Sequence, residues 1–210
     1  MKIINQSYEI LNISHPNPLK FIEQCGRVCY KSESRITEDS AEKFVKMLIK
    51  RGHHSVLEHV NITVKLITNR GVTHELVRHR LASYSQESSR YCSYKGDVTF
   101  IKPVWCDDNW NYEDDGYEGY YDWERAMLDA EKHYNFLLNN GWRPEQAREV
   151  LPNSLKTEII MTCNLRELRH IFKLRCSKQA HPQIRALFLG LLKDVKNRIP
   201  VVFDGEYDEE

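Results

Sequence analysis

Fourteen consecutive residues, Arg78-His79-Arg80-Leu81-Ala82-Ser83-Tyr84-Ser85-Gln86-Glu87-Ser88-Ser89-Arg90-Tyr91, carry three guanidinium groups, one imidazole and four serine hydroxyls. Arginine presents a rigid fork of donors that matches phosphate and carboxylate oxygens, and it stays charged at physiological pH. Serine adds short, adaptable donors. The stretch suits a small, highly anionic ligand. A merely solvated turn gains nothing from hydroxyls spaced between its arginines.

Other stretches invite chemistry less directly. His53-His54-Ser55-Val56-Leu57-Glu58-His59 offers three imidazoles and a carboxylate, but has neither HExxH nor paired Cys/His spacing. It reads as a capped turn between a helix and a strand, not a metal site. Cys25 and Cys29 stand one helical turn apart and read as small buried residues. Pro144 opens a short helix that projects Arg148, and Pro152 stops it. After Asn164, a residue suited to an N-cap, Glu167 sits where a capping-box partner would be. Arg166, Arg169, His170 and Lys173 then share one face, with Leu165, Leu168, Ile171 and Phe172 on the other. That basic face suits either solvent or a nucleic acid. Arg175 ends the same helix.

The elements that must position these groups follow from apolar spacing. Residues 2–13 read as a strand, and Pro18 to Tyr30 as a helix. A second helix begins near Thr37 or Asp39, buries Ala41, Phe44, Val45, Leu48 and Ile49, and stops at Gly52. Asn61 to Thr68 alternates strictly and is rich in β-branched residues, as in a strand; Gly71 ends it. Thr73 to Leu81 reads as a helix delivering Arg78, His79 and Arg80, with Glu75 one turn before Arg78 as a surface ion-pair partner. Val98 to Trp105 and Ser154 to Cys163 read as strands, and Trp123 to Asn140 as a helix capped by Gly141. The acidic, aromatic run 107–122 lacks the EF-hand pattern and reads as a solvated insertion. The last helix buries Ile184, Leu187, Phe188, Leu191 and Leu192 and ends at Pro200, leaving residues 204–210 as a frayed tail. This order gives a single α+β domain over 1–210, a mixed sheet flanked by helices.

Lys plus Arg and Asp plus Glu balance at 30 each. Zero net charge argues against a broad nucleic-acid surface, which needs many phosphate contacts. The six cysteines are scattered and read as reduced thiols. No signal peptide or membrane-length apolar run is evident, so a cytoplasmic protein is expected. There is no GxGxxG after a strand and no P-loop.

Arg-His-Arg, seven residues, then Ser resembles the signature of the flavin-dependent thymidylate synthases, the ThyX family. Arg78 to Ser88 fits it, and the longer form is met at Ser83, Ser88 and Arg90; Ser85 stands where the family often has Asn. His53 to His59, Arg148 to Pro152 and Asn164 to Arg175 resemble three further family blocks, in the family's order. The resemblance implies a ThyX-like fold with active sites at the subunit interfaces of a homotetramer. It implies reductive methylation of dUMP to dTMP, with 5,10-methylenetetrahydrofolate as carbon donor and FAD reduced by NADPH as hydride source.

It further implies dUMP contacts from Glu75, Arg78, Gln86, Glu87, Ser88, Ser89, Arg90, Arg148 and Arg175. FAD contacts are implied from His53, Ser55, Arg78, His79, Arg80, Gln86, Asn164, Leu165, Arg166 and His170. Glu75 replaces a common Gln and His170 a more usual Asn. Arg175 is the implied catalytic group: a fixed guanidinium beside the uracil ring favours negative charge there and so activates carbon 5. The family reading needs no enzyme nucleophile, so Ser88 is a binder, with Cys92 as the other covalent candidate. No metal, nucleic acid or membrane partner is expected. The competing class is a nucleic-acid-binding protein using the basic segments 78–90 and 166–175.

Overall fold

A computed structural model of the chain describes residues 1–106, 116–205 and 207, without the side chains of 116–118. In chain order its elements are β1 (Lys2–Ile4), β2 (Ser7–Ile13), α1 (Pro18–Val28), α2 (Ser40–Lys50), β3 (Asn61–Asn69), α3 (Arg70–Leu76), β4 (Ala82–Gln86), β5 (Thr99–Ile101), α4 (Gly116–Asn139), α5 (Pro144–Ala147), β6 (Lys156–Asn164), α6 (Leu165–Arg175) and α7 (Pro182–Arg198). β2, β3, β6 and β4 hydrogen-bond in that order, and β1 pairs in parallel with β5, Lys2 against Thr99 and Ile4 against Ile101. Helices and strands mix without regular alternation, which is the α+β class. Among the described residues no helix is long and apolar enough to cross a membrane.

The residues gather into two units. The first takes 1–7, 66–78 and 85–159; the second takes 8–65, 79–84 and 160–210. In the first, Val98, Phe100, Met127, Tyr134, Ala147 and Leu155 form a buried cluster. Glu131 ties it to the chain start: its carboxylate accepts from Val98 N at 2.8 Å and lies 2.9 Å from the Met1 ammonium.

In the second unit α1 packs on α2, and α6 packs on α7 and on the 3-10 turn His54–His59. Phe172 meets Phe188 and Phe203 edge-on, at 6.2 and 5.5 Å between ring centres. The α7 stripe from Ile184 to Leu192 is buried as its spacing predicts. Gly26 marks the closest approach of α1 to α2. A Cβ there would stand 2.8 Å from Phe44 Cε1 and 3.0 Å from Leu48 Cδ1. Both neighbours are buried. Gly26→Val should therefore destabilise the protein by about 2 kcal/mol through overpacking, read as a lower urea midpoint.

Several expectations need correcting. The strand expected over 2–13 is two strands, parted at Asn5 and Gln6 and belonging to different sheets. The helix expected from Thr73 to Leu81 instead runs Arg70–Leu76. Asn69 starts it by accepting from Val72 N at 2.9 Å, so Gly71 lies inside it. Arg78, His79 and Arg80 thus sit on a turn, and the Ser83–Gln86 segment is strand β4. The strand expected to Trp105 ends at Ile101, ahead of Pro103, which lacks a donor. Helix α4 starts at Gly116, so 116–122 is helical; 107–115 lie outside the described residues. Cys29 falls just past the end of α1 and is exposed, and Cys25 is half-buried. In the tail, the Tyr207 ring lies 6.1 Å from Phe172, with the Lys196 ammonium 5.6 Å above it. Residues 206 and 208–210 lie outside the described residues.

Candidate functional site

In the first unit, Arg70 and His74 lie four residues apart on α3, so they share a face. With Ser89, Arg148, Glu149, Leu151, Pro152, Asn153 and Leu155 they line a cleft of about 240 Å³. Arg148 Nη1 donates to Ser89 Oγ at 3.0 Å, and Ser89 is buried. The Arg78–Tyr91 stretch and the Arg148–Pro152 stretch, 59 residues apart at this pair, therefore meet. Two guanidiniums, an imidazole and a hydroxyl against one carboxylate make the cleft a site for an anion. Its volume is below that of pockets that enclose a whole drug-sized ligand, so it suits a small anionic group.

The rest of that stretch is held from β6 and α3. Gln86 Nε2 donates to Thr73 Oγ1 at 3.0 Å and to Thr157 Oγ1 at 3.2 Å. Glu87 N donates to Glu158 O at 2.9 Å. The Lys156 ammonium bridges Glu87 and Glu158 at 3.1 and 2.6 Å. Burial opposes its charge, but the two carboxylates outweigh that and raise its pKa. Ser88 Oγ accepts from Arg90 N at 3.3 Å, and the Ser88 carbonyl accepts from Tyr91 N and Cys92 N. Arg90 is exposed, 4.0 Å from Glu145. Arg78 is exposed, and half-buried Glu75 meets it through its carbonyl, which accepts Arg78 N at 3.3 Å.

In the second unit His79 is the centre. It is 5% exposed. Its Nε2 accepts from Arg175 Nε at 3.0 Å, its Nδ1 lies 3.5 Å from Glu167 Oε1, and Tyr84 Oη donates to its carbonyl at 3.1 Å. The His170 ring stands edge-on at 5.8 Å. Burial, then the Arg175 charge, then His170 push the His79 pKa from 6.5 down to about 4. The His79–Glu167 contact has ion-pair spacing, yet at neutral pH the imidazole is uncharged, so it is not an ion pair. Burial also raises the Glu167 carboxyl.

These shifts set a pH window. Between 6.5 and about 4 the unfolded chain takes up a proton at His79 that the folded chain refuses. Stability is full above 6.5 and falls as the pH drops through the window, by about 2–3 kcal/mol. Glu167 has the opposite sign and offsets part of the loss at its acid end. Urea midpoints measured from pH 7.5 to 4.5 should fall in the wild type and fall less in His79→Gln.

Around this centre lie the other expected flavin contacts of the second unit. His53, Ser55, Arg80, Arg166 and His170 are exposed. Tyr30 Oη and His53 Nδ1 are 3.0 Å apart, and Arg166 pairs with Glu58 at 2.5 Å. Asn164 caps α6 by accepting from Glu167 N at 2.8 Å. Leu165 has a fully buried side chain, and its N–H donates to Val60 O at 3.0 Å. The basic face expected on α6 is interrupted, because Arg169 turns inward and donates to Val202 O. Exposed cations and hydroxyls beside a capped helix start form a donor set that fits a flavin dinucleotide, whose pyrophosphate needs such partners. Among the described residues no group of three or more His, Cys, Asp or Glu could hold a metal ion.

Among the residues just described, Arg70, His74, Asn153, Lys156 and Glu167 were not singled out from the sequence as ligand or cofactor contacts. Arg70, His74 and Arg78 recur every four residues, a signal hidden by starting the helix at Thr73. Nothing in the local pattern marks Lys156 or turns Glu167 inward.

A family model described as "Thymidylate synthase complementing protein" matches residues 10–201. The chain is 36% identical over 195 residues to a flavin-dependent thymidylate synthase of Geobacter sulfurreducens, covering 90% of this chain and 82% of that one. It is 35% identical to the enzyme of the same name from Pyrococcus furiosus, covering 86% and 75%. Among solved structures, a UMP/dUMP methylase PolB from Streptomyces cacaoi, bound with 5-Br dUMP, superposes with a TM-score of 0.82 at 25% identity, over 97% of this chain and 96% of its own.

Proposed function

Since the chain belongs to the flavin-dependent thymidylate synthase family, we propose that it converts dUMP to dTMP, taking the carbon from 5,10-methylenetetrahydrofolate. The observation that carries this reading is the Arg148–Ser89 contact in a cleft with Arg70 and His74. It joins two of the four family-like stretches in an anion site of nucleotide-phosphate size. Arg148, Ser89, Ser88 and Arg90 hold the nucleotide, with Arg78, Glu75, Gln86 and Glu87 framing it. FAD, reduced by NADPH, supplies the redox step when bound. His53, Ser55, Arg80, Asn164, Arg166 and His170 hold it, joined by Arg78 and Gln86, with buried Leu165 and His79 supporting them from behind.

Arg175 does the chemistry that belongs to the protein. Carbon 5 of uracil is a weak nucleophile until negative charge builds on the ring. A guanidinium fixed against nitrogen 3 and its carbonyls stabilises that charge most where water is scarce. No nucleophile is needed from the enzyme; Ser88, whose Oγ accepts from Arg90 N, serves as a binder. The protein works as a homotetramer with shared active sites, in the cytoplasm. The nucleic-acid reading is the weaker one: its two segments contain His79 and Ser89, both buried, and Arg169, engaged by Val202.

The deciding experiment is turnover. Purified protein should be yellow, with flavin absorption, and should form dTMP from dUMP only when the folate donor and NADPH are both present. Colourless protein that binds nucleic acid in a salt-sensitive way, with no dTMP formed, would replace this reading with its rival.

A further inference from the structure

Glu167 stands three residues after the Asn164 cap, where a glutamate ordinarily reaches back to the cap's own N–H. Here the carboxylate turns inward. It is 6% exposed, and its Oε1 faces His79 Nδ1 at 3.5 Å. A buried carboxylate persists only against a compensating donor. The protonation of His79 says whether the facing Nδ1 can be that donor. Arg175 Nε can only donate, and it points at His79 Nε2 from 3.0 Å. Nε2 therefore carries no proton, and the single proton of the neutral ring sits on Nδ1, facing Glu167. The Tyr84 hydroxyl on the His79 carbonyl and the edge-on His170 ring hold the turn and the ring in that orientation. Glu167, His79 and Arg175 thus form one directed line from a buried carboxylate to a half-exposed guanidinium.

We propose that Glu167 is a positioning residue for Arg175, acting through His79: it fixes the Nδ1–H tautomer, so that Nε2 anchors the guanidinium by its Nε. This rests on Arg175 acting at the uracil ring. Reversing the tautomer would put an N–H against the Arg175 N–H and push the guanidinium off its place. The loss would appear in the step that needs Arg175 fixed, not in nucleotide capture.

Three measurements test it. Glu167→Leu keeps volume and removes the acceptor; Glu167→Gln keeps a carbonyl acceptor. In FAD-loaded enzyme, Glu167→Leu should lower kcat about tenfold with KM for dUMP changed less than about twofold, and Glu167→Gln should recover most of that. In an Arg175→Ala background, Glu167→Leu should have no further effect, because the two substitutions cut the same line. Nitrogen-15 NMR of the wild-type His79 ring should show the proton on Nδ1, and Glu167→Leu should move part of it to Nε2. Fully additive losses in the double variant, or Nε2 protonated in the wild type, would overturn the proposal. If Glu167→Leu does not fold, the wild-type tautomer and the Gln variant still decide it. If the wild type makes no dTMP, the functional reading fails, while the tautomer still decides whether the line exists.

Discussion

Arg175→Ala should retain FAD and lose dUMP turnover by about a hundredfold to a thousandfold, the size of effect seen when one preorganised charge-stabilising donor is removed. The proposed flavin contacts do not include the Arg175 side chain itself, so the absorption spectrum of bound flavin should be kept. The loss should fall on kcat and kcat/KM together, since the interaction strengthens only as charge builds on the ring. One side effect needs control. Arg175 helps hold His79 uncharged, and its removal lets the His79 pKa rise. Assaying at pH 8 keeps His79 neutral in both proteins, so any remaining loss belongs to the missing guanidinium. Wild-type rates in Arg175→Ala would remove Arg175 from the mechanism.

Arg148→Ala should weaken dUMP rather than chemistry. A hydrogen bond from a charged donor contributes about 1.5–3 kcal/mol, so KM for dUMP should rise roughly tenfold to a hundredfold, with kcat at saturation changed little. The same substitution leaves buried Ser89 Oγ without its present donor. The folded state should therefore lose about 1 kcal/mol, read in the urea midpoint. Arg148→Lys should restore part of the affinity through charge alone, but not the forked geometry. A KM unmoved by Arg148→Ala would place the phosphate elsewhere.

Much of the architecture was legible because burial imposes a period. β3 shows it plainly: Ile62, Val64, Leu66 and Thr68 are buried in strict alternation, and the strand runs one residue past its expected end. α6 and α7 follow from their stripes in the same way. What was not legible depended on one side chain satisfying one backbone group. Asn69 took the start of α3 three residues upstream, which moved Arg78, His79 and Arg80 from a helix to a turn. For the site, residue type told which groups could bind an anion, but not which would be turned inward. His79 looked like one more ligand in a basic run, and it is buried against Glu167 from a segment 88 residues later, counting 167 minus 79. Arg169 looked like part of a basic face, and the backbone of Val202 holds it. Such pairings join distant segments, and no local spacing announces them.

Gln86 shows how far an amide can commit itself before any ligand arrives. Both protons of its Nε2 are given away, to Thr73 and Thr157, and Thr73 passes its own hydroxyl proton to the Arg70 carbonyl at 3.0 Å. The chain runs in one direction, so the amide cannot flip without breaking it. Gln86 is left presenting a lone-pair oxygen. That oxygen repels a phosphate and greets a sugar hydroxyl or the imide proton of a pyrimidine. In the nucleotide site proposed above, such an oxygen would favour the base or sugar end over the phosphate, before any guanidinium had taken hold.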